Sequence, residues 1–93
     1  MRLLRSAHYA EDIERIARVI AKDKPGAAVA MWDEIEALVE RLKEFPNSGR
    51  PGRLEGTREL VVPRTPFIVV YRLAKERVEL LRVLRGAQKW PKS

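Results

Sequence analysis

The side chains best suited to chemistry in this sequence are the arginines and lysines of its C-terminal half. Guanidinium and ammonium groups bind the phosphates of a nucleic-acid backbone and stabilise the charge of a phosphoryl transition state. The set could therefore serve a site that cleaves RNA. It could equally consist of solvated or ion-paired side chains beside an acidic partner. Its members lie in a loop, in strand-like runs and in the tail, and they are Arg50, Arg53, Arg72, Arg82, Arg85 and Lys89.

Groups that could transfer protons are scarce. His8 is the only histidine, and the absence of cysteine excludes thiolate metal ligands and cysteine nucleophiles. Glu59 stands among arginines of neighbouring runs, namely Arg58, Arg72, Arg82 and Arg85, and could be a base or an ion-pair partner. We favour the ion pair. The other carboxylates are spread out, so we predict no metal and no cofactor and leave open whether the chain is an enzyme.

The positive charge is concentrated in one half of the chain. Residues 1–45 carry 8 Lys/Arg and 9 Asp/Glu, whereas residues 46–93 carry 11 Lys/Arg and 4 Asp/Glu. The C-terminal half is therefore a cation, which attracts nucleic acid or an acidic protein segment. Its Trp90 could stack on a base, although we favour packing of the tail on the rest of the fold.

Length and hydropathy indicate one domain spanning residues 1–93. The N-terminus lacks the long apolar stretch of a signal peptide, and no apolar run is long enough to cross a bilayer. We therefore expect a cytoplasmic protein without membrane contact.

Two amphipathic helices occupy the N-terminal half. Ser6 is a good N-cap for a helix from about Ala7 to Lys22, and Pro25 suits the first turn of a second helix that runs to about Glu44. Apolar residues recur at helical spacing on both. The expected core-facing stripes are Tyr9, Ile13, Ile16, Ala17 and Ile20 on the first helix, and Ala28, Met31, Ile35, Leu38, Leu42 and Phe45, widened by Trp32 and Val39, on the second.

Three strand-like runs follow a loop rich in glycine and proline. They cover residues 57–62, 67–73 and 78–84, and their short connections predict antiparallel hairpins. Leu3 and Leu4 could add a short first strand. The predicted fold class is α+β, with the order β-α-α-β-β-β and a two-helix antiparallel hairpin on one face of a small antiparallel sheet.

The middle strand is apolar on both faces, because Phe67, Ile68, Val69, Val70 and Tyr71 follow one another. The helices can cover one face. Apart from the tail, nothing in the chain remains for the other face, so we expect a partner to cover it.

These pieces in this order resemble the ParE/RelE superfamily of bacterial toxins. The resemblance spans nearly the whole chain and is carried by LKEFPNSGRPGR, GTRELVV, TPFIVVYRL and VELLRVLRGAQKW. It implies a toxin of a type II toxin–antitoxin system, bound in a hetero-oligomer by a ParD-like or similar antitoxin. The residues we expect to bind the antitoxin are Arg58, Leu60, Val69, Tyr71, Arg72, Arg82, Arg85 and Trp90.

The resemblance leaves the cellular target open between DNA gyrase, for ParE-like members, and messenger RNA on the ribosome, for RelE-like members. Many relatives carry histidine where this chain has Arg85, and arginine is a poor proton shuttle. The sequence therefore favours a ParE-like gyrase inhibitor over a ribosome-dependent mRNA endonuclease. A remnant that binds its antitoxin without being toxic is a third alternative.

Overall fold

A computed structural model describes residues 1–91. Two helices precede most of a five-stranded sheet, which confirms the α+β class. In chain order the elements are β1 (Arg2–Arg5), α1 (Ala7–Ala21), α2 (Pro25–Glu40), a 3-10 turn (Arg41–Lys43), β2 (Arg50–Pro51), β3 (Arg58–Val61), β4 (Phe67–Ala74) and β5 (Arg77–Arg85).

The helix starts follow the expected local chemistry. Ser6 caps α1, since its Oγ accepts a hydrogen bond from the Tyr9 N–H at 3.1 Å. Pro25 opens α2, where its missing N–H costs nothing. The second helix was predicted too long. Its α-helical part ends at Glu40 and a 3-10 turn follows, which changes the angular spacing of the side chains.

Because of this change, the stripe predicted for the second helix does not hold at its C-terminal end. Leu42 remains fully buried, whereas Phe45, placed beyond the 3-10 turn, is 57% exposed. Trp32, at the margin of the stripe, is also 36% exposed. The remaining residues of both stripes are buried or pack against the core.

The sheet is mixed: β3, β4 and β5 form the predicted antiparallel hairpins, and β1 adds a parallel edge strand to the small antiparallel sheet that was expected. Its order is β1-β5-β4-β3-β2, and β1 runs parallel to β5 while the other neighbours are antiparallel. The two-residue β2, formed inside the glycine-rich loop, was not predicted.

A β-bulge in β5 sets which residues face the helices. Val70 pairs with Arg82 and Tyr71 with Leu80, so Leu81 is the extra residue. Strict alternation would place Leu80 and Val83 on opposite faces. The bulge lets both pack in the core beneath the helices.

The main core lies between the helices and the sheet. It joins α1 and α2 to the strands through fully buried side chains such as Tyr9, Ile35, Val69, Tyr71 and Leu80. The helical hairpin thus covers one sheet face, as predicted.

The opposite face of the sheet, which we call the open face, is not bare. Ile68, Val70 and Leu84 are at most 3% exposed there, and Leu81 and Trp90 pack against them. One indole from the tail covers a small apolar patch here, so burial of these three side chains does not require a second polypeptide. The binding of a partner to this face stays a prediction. The favoured role for Trp90, packing of the tail on the sheet, is confirmed.

Candidate functional site

The candidate site is the open face together with the loop and tail that cross it. Strand register places Glu59 and Val61 of β3, Arg72 of β4 and Glu79 of β5 on the same side as Val70. Charged side chains therefore surround the apolar patch.

Arg53 links the loop to the tail. Its guanidinium donates from Nη1 to the Gln88 carbonyl at 2.7 Å and from Nη2 to the Gly86 carbonyl at 2.6 Å. Its Nε lies 3.3 Å from Glu59 Oε2. One side chain thus fastens the tail residues that lead to Trp90.

Glu59 is the buried carboxylate beneath this link, at 3% exposure. It accepts from Arg50 Nη2 at 3.2 Å and from the Arg53 backbone N–H at 3.0 Å. Its preferred role as an ion-pair partner is confirmed. Its partners are Arg50 and Arg53 of the loop and not the strand arginines predicted from sequence, because β2 brings the loop alongside β3.

Arg72 is paired across the sheet. Its Nε donates to Glu79 Oε1 at 2.5 Å, and Arg77 Nε donates to the other carboxylate oxygen at 2.9 Å. The hydrogen bond from Arg72 is the main cause of a lowered pKa for Glu79. This carboxylate is therefore ionised and unsuited to act as a general acid near neutral pH.

Arg82 reaches around the edge of β5 to α1. Its Nε and Nη2 donate to the two oxygens of Asp12, at 2.6 and 3.1 Å. The same carboxylate accepts the Val83 N–H at 2.9 Å and a bond from Arg15 at 3.0 Å. Sequence analysis missed Asp12, whose only signal was an acid placed one residue before Ile13 of the buried stripe.

Burial alone would raise the pKa of Asp12, but hydrogen bonds from Arg82, Val83 and Arg15 outweigh it and the pKa is lowered. Asp12 correspondingly raises the pKa of Arg82. The pair is locked in its charged form, which favours a structural role.

Arg85 and Lys89 do not join the Glu59 cluster. Arg85 lies on the helix side, with its guanidinium carbon 5.7 Å from the centre of the Phe67 ring. Lys89 is exposed and lines a groove of about 490 Å³ with His8, Arg82 and Trp90. The six cationic candidates are therefore spread over several places and do not form one centre.

The residues predicted to bind an antitoxin divide between two faces. Val69 and Tyr71 are fully buried under the helices, so neither side chain is available at the surface. Both residues were assigned to a binding surface because an unbroken apolar run does not reveal which of its side chains face the helices. Arg58 and Leu60 are half-buried on the helix side of β3.

Leu60 belongs to an apolar groove at the sheet edge. The groove has a volume of about 540 Å³, and its lining includes Leu38, Phe45, Pro46 and Leu60. Beside it, β2 pairs only with Arg58 and Glu59, so the outer edge of β3 is free from Leu60 onward. Such an edge accepts an extended peptide strand.

Among residues 1–91, no cluster of three or more His, Asp or Glu side chains could hold a metal ion. No helix in that range is long and apolar enough to cross a membrane.

Comparison with known proteins identifies the family. Residues 3–90 match the family model described as ParE toxin of type II toxin-antitoxin system, parDE. The protein Y4kP of Sinorhizobium fredii is 43% identical over 79 residues, covering 85% of this chain and 81% of that protein. Toxin ParE3 of Caulobacter vibrioides is 33% identical over 88 residues, covering 91% of this chain and 86% of that toxin.

A solved structure agrees with this assignment. The chain superposes with a TM-score of 0.84 on a chain from the chromosomal ParDE TA system of P. aeruginosa, at 26% identity, covering 91% of this chain and 95% of that one. With the family model matched over almost the whole length, the chain belongs to the ParE toxin family of type II toxin–antitoxin systems.

Proposed function

We propose that this chain is the toxin of a type II toxin–antitoxin pair, neutralised by a ParD-like antitoxin, and that the free toxin acts in the cytoplasm by inhibiting DNA gyrase. The observation that carries the proposal is the ParE family match over residues 3–90. The similarity to a chain of a ParDE complex supports an antitoxin as partner.

Two surfaces suit an antitoxin. The groove beside Leu60 joins exposed Phe45 to the free edge of β3, and this combination fits an extended apolar segment. The open face adds exposed Arg72 and partly exposed Arg82 at 56% and 23% side-chain exposure, which fit acidic side chains. Trp90 adds an apolar contact to that face, whereas Arg85 lies on the helix side of the sheet.

Growth and binding assays test the partner. Expression of this chain alone should arrest growth, and co-expression with the product of the adjacent reading frame should restore growth and give a complex that co-purifies. Normal growth in cells that accumulate the folded chain alone would instead identify a non-toxic remnant.

A supercoiling assay tests the target. Purified toxin should block supercoiling by DNA gyrase, and added antitoxin should restore it. Full gyrase activity at a large molar excess of folded toxin would contradict gyrase as the target.

The same arrest would be expected of a ribosome-dependent mRNA endonuclease built on Arg50, Arg53, Arg72, Arg82, Arg85 or Lys89. The pairing of four of these with Glu59, Glu79 and Asp12 supports binding over cleavage, because their guanidinium groups are already engaged by separate carboxylates and do not converge on one centre. Mapping of transcript ends after induction separates the two, since a gyrase inhibitor leaves messages intact.

A further inference from the structure

The tail on the open face is fastened by few contacts. Residues 86–91 contain no helix or strand. Apart from the Arg53 link, the Gly86 N–H donates to the Pro66 carbonyl at 2.8 Å where the tail begins. Beyond Gly86 the tail is held by a turn, in which the Gln88 N–H donates to the Arg85 carbonyl at 2.9 Å and Gln88 Oε1 accepts a long bond of 3.4 Å from the Arg85 N–H, and by Trp90, which is only half-buried. Segments with so few buried contacts open at low free-energy cost.

The apolar patch beneath Trp90 is built by the sheet and not by the tail. Ile68, Val70 and Leu84 project from the two central strands of the sheet, which are paired along their length. Release of Trp90 would leave this apolar patch in place for another side chain.

The Arg53 link does not depend on the sequence it holds. It contacts two backbone carbonyls, which any extended peptide provides. A carboxylate is a better acceptor for this guanidinium than a neutral carbonyl, because the attraction between opposite charges adds to the hydrogen bond. Arg50, which also pairs with Glu59 and has 58% of its side chain accessible, adds positive charge beside Arg53.

We propose that residues 86–91 form a displaceable strap over a second peptide-binding surface, that Arg53 is its latch, and that the incoming ligand is a peptide segment alternating acidic and apolar residues. An acidic side chain of this peptide pairs with the guanidinium of Arg53. An apolar side chain of the peptide packs on Ile68, Val70 and Leu84 in place of Trp90. This rests on the proposed function only in naming an antitoxin segment as the natural source of such a peptide.

The latch is tested in the full-length chain with Trp32→Phe, so that Trp90 is the sole tryptophan. Arg53→Ala should shift Trp90 emission to the red and increase its quenching by acrylamide. Arg53→Lys keeps a cation near Glu59 but cannot hold both carbonyls, so it should give the same shift with the fold retained in circular dichroism. Arg64→Ala, which removes an exposed partner of Glu34, is the matched control and should change nothing.

Unchanged Trp90 emission in the folded Arg53→Lys protein would overturn the latch. The ligand is tested with a short synthetic peptide alternating glutamate and leucine and with a twin that carries glutamine instead of glutamate. The acidic peptide should shift Trp90 emission to the red, and the twin should not.

Three outcomes of the peptide titration contradict the proposal: no shift with either peptide, an equal shift with both, or binding of the acidic peptide, measured by its own anisotropy, without a shift of Trp90. None of these readouts needs an antitoxin or gyrase. Failure of the co-expression rescue would therefore contradict the proposed function without contradicting the strap. Failure of the Trp90 fluorescence tests would contradict the strap without contradicting the proposed function.

Discussion

Tyr71 ties the loop after α2 to the sheet through one buried hydroxyl. Its Oη donates to the Pro46 carbonyl at 2.7 Å and accepts from the Gly49 N–H at 2.8 Å. Buried backbone groups without partners are costly, so this one side chain satisfies two of them in a segment without regular structure.

Tyr71→Phe should lower the free energy of unfolding by about 1–3 kcal/mol, because it leaves the Pro46 carbonyl and the Gly49 N–H unpaired. Urea unfolding of both proteins measures the loss. Tyr9→Phe is the comparison: the Tyr9 Oη makes only a long bond of 3.4 Å to Glu36, so a smaller loss is expected. Equal stability of Tyr71→Phe and the parent would show that water replaces the hydroxyl.

The carboxylate of Asp12 holds the edge of β5 against α1. It accepts the Val83 N–H, which no neighbouring strand pairs because β1 ends opposite Leu80. Ser6 helps in the same way, since its Oγ donates to the Leu81 carbonyl at 3.1 Å.

Asp12→Asn should cost about 2 kcal/mol near neutral pH, because it removes charge-assisted bonds from Arg82 and Arg15. The pKa of Asp12 is lowered from its ordinary value of 3.8, so its contribution is complete above that value and is lost as the pH falls through the lower, folded-state pKa.

Urea midpoints of the parent and of Asp12→Asn, measured from neutral pH into acid, check this dependence. The gap between them should close only at acid pH. Glu14→Gln serves as control, since its bond to Arg18 is exposed and its loss should be small. A gap that stayed constant into strong acid would refute the assignment to the Asp12 carboxylate.

The loop between α2 and β3 is an element in its own right, and close backbone approach shapes it. The Gly52 N–H donates to the Thr57 carbonyl at 2.8 Å, and a Cβ at Gly52 would lie 2.2 Å from Thr57 Oγ1. The loop therefore closes only with glycine at this position.

Gly52→Ala should destabilise the fold by about 1–3 kcal/mol, the usual cost of forcing an extra group into a packed place. Gly26→Ala is the matched control, because a Cβ there meets nothing within 4 Å and lies in the first turn of α2, where alanine is favoured. Thermal unfolding of both variants measures the difference, and equal midpoints would contradict the close approach.

The two edges of the sheet differ in what lies beside them. The β5 edge beyond β1 is capped by side chains of α1 and its N-cap, whereas the β3 edge beyond β2 runs beside the groove of Phe45 and Leu60. We expect an antitoxin strand to use the second edge.

Phe45→Ala should weaken antitoxin binding about tenfold, as loss of a partly exposed aromatic contact does at many interfaces, with little change in stability. Isothermal titration calorimetry with the antitoxin measures the effect. Val29→Ala, on the outer surface of the helices at 62% exposure, should bind normally. Equal affinities for the two variants would place the antitoxin elsewhere.

At the scale of the whole molecule, the helical layer is acidic and the sheet is cationic. Residues 6–45 carry 6 Lys/Arg and 9 Asp/Glu, whereas the chain as a whole has a formal net charge of +6. Such a charge distribution speeds the encounter with an acidic partner and is screened by salt. We therefore expect an acidic partner to approach the sheet and not the helices.

The association rate with the antitoxin should fall about tenfold or more as salt is raised from low to high concentration, while dissociation changes less. Stopped-flow mixing at a series of salt concentrations separates the two rates. An association rate independent of salt would mean that the cationic layer plays no part in the encounter.

Much of this molecule could be predicted from local patterns. Helical spacing identified the buried faces of α1 and α2, and Ser6 and Pro25 marked their starts. These features depend on residues within a few turns of each other. The α+β class followed from the order of the elements.

Only the tertiary structure decided which charges meet and what covers the second sheet face. Asp12 and Arg82 are 70 positions apart, and Arg53 reaches Gln88 across 35. The bulge at Leu81 changes which β5 residues face the helices, and one indole from the tail seals a patch that strand composition alone assigned to a partner. Local patterns report burial within an element, whereas ion pairs, register shifts and the path of a tail depend on how distant elements are brought together.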